Sequence, residues 1–364
     1  MIEAIEQTIA SRKLLSADTP VLAMVSGGSD STALAYLVAD LFKRGKIGQP
    51  AILHVNHKIR GEEAYADARF VERLAERLAI PFFGCEIDVP ALVAATGGNA
   101  EAIGRRERYL AAHEALESLC RHTATPISEG RIATAHTQDD RAENFYMRSI
   151  KGTGPGGFRS MLYQNGPVVR PCLDVSREAL RAYVSDLPES LAVVDEQGKR
   201  WREDATNAHT DRFRAFVRHE IIPKAKERNP QLLDTLCRTM NLIADEDDFL
   251  QRLAASAAEE HAEWTGDDGD GGYDSCLLLP SFGGVALPVQ RRIVVSLLQR
   301  LVGGEARIEA ASVDAVLSAF GEDKLPISGF VTNIQGDLAV SANKRGVLVE
   351  PMAVFRARRK PAHS

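Results

Sequence analysis

Between residues 20 and 186, short continuous apolar runs alternate with longer amphipathic stretches, and this alternation restricts the possible folds more than any other feature of the sequence. PVLAMV (20–25), AILHV (51–55), IPFFGCEI (80–87), RIATA (131–135) and VVRP (168–171) read as strands. The stretches 31–43, 62–79, 99–120, 139–151 and 176–186 read as helices. Strands that are apolar on both faces and separated by helical crossovers pair in parallel, with helices covering both sides. The expected fold class is α/β: a doubly wound, mostly parallel five-stranded sheet. Ligands in such sheets sit at the carboxyl ends of the strands, where the strand order reverses. From residue 211 the pattern changes. Helices are expected over 211–228 and 231–262, the second opened by Asn229-Pro230, then a Gly/Asp-rich loop over 265–275. Helices over 288–301 and 309–320 and three β-like runs over 329–334, 337–342 and 346–350 follow. The prediction is one domain over 1–228, then a helical linker and a small α+β domain over 229–364.

The strongest chemical signal is Ser26-Gly27-Gly28-Ser29-Asp30-Ser31, set between the first strand and a helix. Two glycines let successive N–H groups turn toward one anion, and the helix N-terminus adds partial positive charge. Asp30 supplies a hard oxygen suited to magnesium. The loop is neither a Walker A sequence nor a GxGxxG fingerprint. A second constellation, His136, Asp140 and Glu143, lies where the fourth strand meets its helix, and helical spacing puts the two carboxylates on one face, ready for an ammonium group. Asp139 is not excluded by spacing. Glu101, Arg105 and Arg108 share one helical stripe, which is either an exposed ion-pair face or a source of positive charge for a phosphate. Lys151 to Gly157 is a second glycine-rich stretch, either a connector or a closing loop.

SGGSDS is similar to the pyrophosphate loop of the N-type ATP pyrophosphatases, the PP-loop superfamily with its adenine nucleotide alpha hydrolase-like fold. HVNHKIRGEEAYAD (54–67), EAIGRRERY (101–109), IATAHTQDDRAENFYMRSIKGTGPGGF (132–158) and WREDATNAHTDRFRAFVRHEIIP (201–223) resemble the tRNA(Ile)-lysidine synthetase family, whereas the C-terminal part resembles it weakly. The resemblance implies a PP-loop catalytic domain, a tRNA-binding C-terminal domain, and a carbon–nitrogen ligase that converts ATP to AMP and diphosphate. ATP would activate the C2 oxygen of the wobble cytidine of tRNA(Ile), and the lysine ε-amine would displace AMP. It implies ATP contacts by Ser26, Gly27, Gly28, Ser29, Asp30 and Ser31, and by His54 and Asn56 at the end of the second strand. Asp30 would hold magnesium, His136 would touch the α-phosphate, and Asp140 and Glu143 would bind lysine. Arg105, preferred over Arg108, would neutralise the α-phosphate. Arg108, Arg214, Arg218 and Lys224 would bind tRNA. Asp204 and Asn207 also match family positions. Ala215, Thr137 and Asn144 depart from the usual asparagine, histidine and threonine.

Composition bears on the partner. The chain carries 44 Lys and Arg against 50 Asp and Glu, a net charge of −6, which by itself argues against nucleic acid. The distribution reverses that argument: 199–228 holds nine basic and five acidic residues, 234–274 two and twelve, and 344–364 six and one. Two basic patches are able to hold an RNA backbone by counterion release. The tail arginines are part of that expectation, with the tail ordering only on binding. No apolar run reaches the roughly 18 residues that span a bilayer, and the N-terminus lacks a signal-peptide core, so a cytoplasmic protein without a membrane partner is expected. Expected partners are tRNA(Ile) and L-lysine, with room for a homodimer. Two other classes fit parts of the sequence: a different PP-loop enzyme (tRNA 2-thiolation or metabolite amidation) and a catalytically inactive RNA-binding module. The five cysteines form no CxxC pair, which disfavours sulfur transfer. A dead module would not be expected to keep the loop together with His136, Asp140 and Glu143.

Overall fold

The computed structural model describes residues 1–203, 212–266, 275–303 and 307–359. Asp204, Asn207, Lys360 and most of the 265–275 loop lie outside the described residues, as does the side chain of Arg212. The chain divides into two compact units, Met1–Ile243 and Ala244–Ser364. The division falls inside a long helix, past the Asn229-Pro230 break.

The first unit runs α1 (Ile2–Ser11), β1 (Val21–Met24), α2 (Ser29–Lys43), β2 (Pro50–Asn56), α3 (Glu62–Leu78), β3 (Phe82–Glu86), α4 (Val89–Thr96) and α5 (Ala100–His122). It continues through β4 (Arg131–Ala133), α6 (Gln138–Lys151), β5 (Gln164–Asn165), β6 (Val168–Val169) and α7 (Arg177–Ser185). Then come α8 (Arg212–Phe216), a π-helical turn (Val217–Ile221), α9 (Ile222–Arg228) and the start of α10 (Leu232–His261). The strand order is β3-β2-β1-β4-β6-β5. All five strands read from the sequence are present and parallel, and β5 adds a short antiparallel edge on β6.

Alternation along β1 explains the layers. Val21 and Ala23 face one core with Leu34, Leu37, Phe70 and Leu74 of α2 and α3, while Leu22 faces another with Leu53, Leu116, Leu119 and Ile132. A strand sandwiched this way buries both faces, which is why it reads as an unbroken apolar run. The order reverses at β1, flanked by β2 and β4, so the crevice beyond their carboxyl ends is the switch point. The loop after β1, Asn56 at the end of β2 and His136 after β4 all open onto it.

The second unit holds an antiparallel sheet, β7-β8-β11-β10-β9, from β7 (Ala262–Thr265), β8 (Ser275–Leu278), β9 (Val331–Ile334), β10 (Leu338–Asn343) and β11 (Gly346–Pro351). With α11 (Leu287–Val302) and α12 (Ala310–Leu317) it encloses a core that includes Phe282, Ile293, Leu298, Val316 and Val340. Gly336 and Asp337 both take positive φ, 75° and 54°, the backbone of the tight β9–β10 turn. The expectation of a tail that orders only on binding is corrected: Met352–Arg359 is a helix, α13. Its Met352 and Phe355 are buried with Ala339, and Arg358 pairs with Glu350. No helix among the described residues is long and apolar enough to cross a membrane.

Candidate active site

The loop at the end of β1 is tied from three sides. Gly27 has φ +94°, a conformation that disfavours a side chain, and a Cβ there would stand 3.4 Å from Arg202. Ser31 Oγ donates to the Gly28 carbonyl (3.1 Å) and accepts from the Ser26 N–H (3.1 Å), while Thr32 Oγ1 donates to the Gly27 carbonyl (3.1 Å). Arg202 donates its backbone N–H to the same carbonyl (2.9 Å) and anchors its side chain on Asp67 (2.8 Å). The loop therefore curls over the N-terminus of α2, where the helix dipole favours an anion. Arg181 Nε reaches Ser29 Oγ (3.2 Å), and Arg177 Nε reaches Asp30 Oδ2 (3.0 Å). Burial raises the Asp30 carboxyl above its ordinary value, outweighing Arg177.

The acid pair sits on the first turns of α6. Thr137 caps the helix: its N–H and Oγ1 both donate to Asp140 Oδ2, at 2.9 and 3.0 Å, so the residue that replaces the usual histidine fixes the carboxylate. The other oxygen, Oδ1, accepts from Arg177 (3.3 Å) and Arg214 (3.0 Å). Glu143, with a side chain only 1% exposed, accepts from Arg214 at 2.7 Å and from Arg218 at 2.7 and 3.1 Å, with Arg177 at 3.6 Å. Asp139, left open by spacing, turns away to accept the Arg177 backbone N–H (2.8 Å) and pairs with Lys226 (3.8 Å). Burial works to raise Asp140, but Arg177 and His136 lead a set of neighbours that holds it below the usual carboxylate value. The same carboxylates overcome burial to raise Arg177 and Arg214. Burial pushes His136 down to about 4, with help from Arg170, Arg214 and Arg105, so its ring is neutral at pH 7.

At the end of β2, His54 Nδ1 bonds the Val25 carbonyl (2.9 Å) within the core, which makes it a support for the strand end. Asn56 accepts the Lys58 N–H (2.9 Å), while its Nδ2 is buried without a partner among the described residues. His57 is pushed to about 4 by burial and then by Arg108, and its neutral Nε2 accepts from Arg108 Nε (3.2 Å). Arg105 instead packs over Tyr109 (5.5 Å) and lies within electrostatic reach of His136. The two arginines therefore serve different strand ends.

The structure thus brings Asp30, His136, Asp140 and Glu143 to one crevice edge, with Ser26–Ser31 beside them and Arg105 nearby. Arg214 and Arg218, expected on tRNA phosphates, are turned onto the carboxylates. Lys224 makes an exposed pair with Glu220 (3.4 Å). Arg177, Arg181 and Arg202 were not singled out from the sequence. The available signal was position: Arg177 opens the helix that follows the last parallel strand, where the chain returns to the ligand edge.

Residues 2–225 match the family described as the PP-loop domain. A tRNA(Ile)-lysidine synthase from Geobacillus kaustophilus is 31% identical over 84% of this chain and 61% of its own length. One from Thermus thermophilus is 36% identical over 66% of this chain and 42% of its own length, so the chain spans roughly half the length of these relatives. Among solved structures, a U34-tRNA thiolase from Methanococcus maripaludis matches with a TM-score of 0.50 at 17% identity, covering 67% of this chain and 78% of that one, a likeness of fold.

Proposed function

The chain belongs to the PP-loop family, and from that premise we propose that it is a tRNA(Ile)-lysidine synthase, a ligase that uses ATP to join lysine to the wobble cytidine of tRNA(Ile). ATP would adenylate the C2 oxygen of the cytidine in the CAU anticodon, releasing diphosphate, and the lysine ε-amine would then attack C2 and displace AMP. The observation that carries the reading is the buried acid pair Asp140 and Glu143 joined to the phosphate loop through a single residue, Arg177. An anion cradle and a cation-binding pair on one crevice edge suit a reaction between a nucleotide and an amine.

The loop N–H groups and the N-terminus of α2 would hold the polyphosphate, and the unpartnered Asn56 Nδ2 offers a buried donor for the base or ribose. Magnesium takes one or two carboxylates with phosphate oxygens, which fits a site offering Asp30, and it would neutralise phosphate charge there. Among the described residues no group of three His, Cys, Asp or Glu side chains is placed to hold a metal unaided. His136, neutral at pH 7, is able to hydrogen-bond the α-phosphate, and Arg105 stands near to offset the charge that builds there. Asp140, held below the usual range, serves as an anchor for the ammonium rather than as a base. An unpaired loop base is the suitable substrate, because C2 must leave its stack to meet ATP. Such substrates place the protein in the cytoplasm.

Four of the five cysteines are buried, and burial raises all five thiols, which disfavours the thiolate that sulfur transfer needs. The test is ATP–pyrophosphate exchange with tRNA(Ile) transcript. Exchange that depends on the transcript and is lost when the wobble cytidine becomes uridine supports the reading. Exchange that ignores the transcript points to a metabolite substrate and overturns it.

A further inference from the structure

The acid pair is fully occupied. Asp30, Asp140 and Glu143 face Arg177, Arg214 and Arg218 at 2.7 to 3.6 Å, so three formal negative charges meet three positive ones. Each Glu143 oxygen already accepts from a guanidinium, and the Asp140 oxygens are divided between the Thr137 cap and two arginines. An ammonium entering here would be a fourth cation among three, in a place where little water screens it. Charge in such a setting must be matched or it is strongly unfavourable. Among the described residues, these three carboxylates and three guanidiniums balance one another.

One of the three cations also belongs to the neighbouring site. The Arg177 guanidinium spans the gap, with Nε on Asp30 of the phosphate loop and its two terminal nitrogens toward Asp140 and Glu143. Its backbone is fixed by Asp139, and Arg181, one turn along α7, touches Ser29 of the loop. A polyphosphate settling in the loop brings several negative charges within reach of these arginines. The balance of the cluster then turns negative, and the acid pair acquires the charge to hold an amine.

Resting on the functional reading above, we propose that Arg177, with Arg214 and Arg218, keeps the amine site closed until polyphosphate draws guanidinium charge away, so that nucleotide binding creates the lysine site. Arg177 is the positioning residue that couples the two half-sites. Coupling between binding sites is reciprocal, so lysine must tighten the nucleotide by the same factor.

The test is equilibrium dialysis of radiolabelled lysine against the full chain, with and without saturating α,β-methylene ATP, which resists cleavage between the α and β phosphates. The expected result is at least about tenfold tighter lysine binding with the analogue. Arg177→Gln should bind lysine without nucleotide and lose most of the enhancement, and Arg177→Lys should regain part of it. Should Arg177→Gln fail to fold, Arg177→Lys decides, and an enhancement equal to that of the wild type would overturn the coupling role of Arg177. Equal lysine affinity with and without the analogue overturns the inference. Lysine bound under neither condition also overturns it. The functional reading is then judged separately by tRNA-dependent pyrophosphate exchange, which requires no lysine.

Discussion

Asp30 occupies the junction of the two half-sites, and its neighbours define what its loss would do. Among the described residues the side chain is bonded only to Ser29 and Arg177, and it makes no bond to the sheet or the cores. Asp30→Ala should abolish adenylyl transfer while the chain still folds cooperatively; pyrophosphate release at the wild-type rate would exclude a metal role for Asp30. Glu143 differs because it is buried against two close arginines. Glu143→Gln takes the carboxylate from the half-buried Arg214 and Arg218, a loss of about 1–3 kcal/mol that chemical denaturation should show. The KM for lysine should rise far more than that for ATP in the same variant, and an unchanged lysine dependence would refute the assignment. His136 gives a pH signature. Its folded pKa of about 4 lies below the unfolded value near 6.5, so the unfolded chain takes up the proton first and stability falls as pH drops from 6.5 toward 4. His136→Gln should remove about 1 kcal/mol of that loss by pH 5.5, read from urea midpoints at pH 7.5 and 5.5. His57, also near 4, contributes a similar slope that this variant retains.

At the level of elements, the phosphate loop and α6 were legible because local rules define them. The glycine pair after an apolar run marks a turn into a helix, and an i, i+3 carboxylate spacing fixes one helix face. Spacing did not separate Asp139 from Asp140; the neighbouring N-terminus of α7 does, by taking Asp139. Arg177 was illegible for the same reason: only packing of α7 beside α2 and α6 brings it to Asp30. The strand β5 is two exposed polar residues, and β7 is only four residues, Ala262–Thr265, too short to stand apart in the sequence from the helix before it. The tail read as a basic end because arginines dominate α13, and Met352 and Phe355 reveal their role only against β10. The loop makes its own prediction. Gly27→Ala forces a side chain into φ +94°, so nucleotide affinity should fall at least tenfold with a stability loss of about 1–3 kcal/mol. Unchanged binding of a fluorescent ATP analogue would show that the loop is not the cradle.

For the molecule as a whole, the proposed tRNA substrate would require an acidic chain to hold a polyanion through few contacts. Arg358 is taken by Glu350, Arg214 and Arg218 by the acid pair and Lys224 by Glu220, which leaves Arg356 and Arg359 among the tail side chains expected on phosphates. The log–log salt slope of tRNA affinity should therefore be shallow, with each contact adding about −0.9 on duplex and −0.7 on single strands. Neutralising Arg356 and Arg359 together should reduce it by roughly one to two. Such contacts position the RNA rather than identify it, so cognate and non-cognate tRNA should weaken alike. In the proposed reaction one crevice joins a nucleotide-activated cytidine to an amine. The decisive measurement is to incubate the chain with ATP, radiolabelled lysine and tRNA(Ile) transcript and then digest the RNA to nucleosides. Label in a single modified cytidine, dependent on ATP and lost in Asp30→Ala, is the expected result. Unlabelled RNA in the presence of tRNA-dependent pyrophosphate exchange would contradict it, because the activated cytidine would then have an acceptor other than lysine.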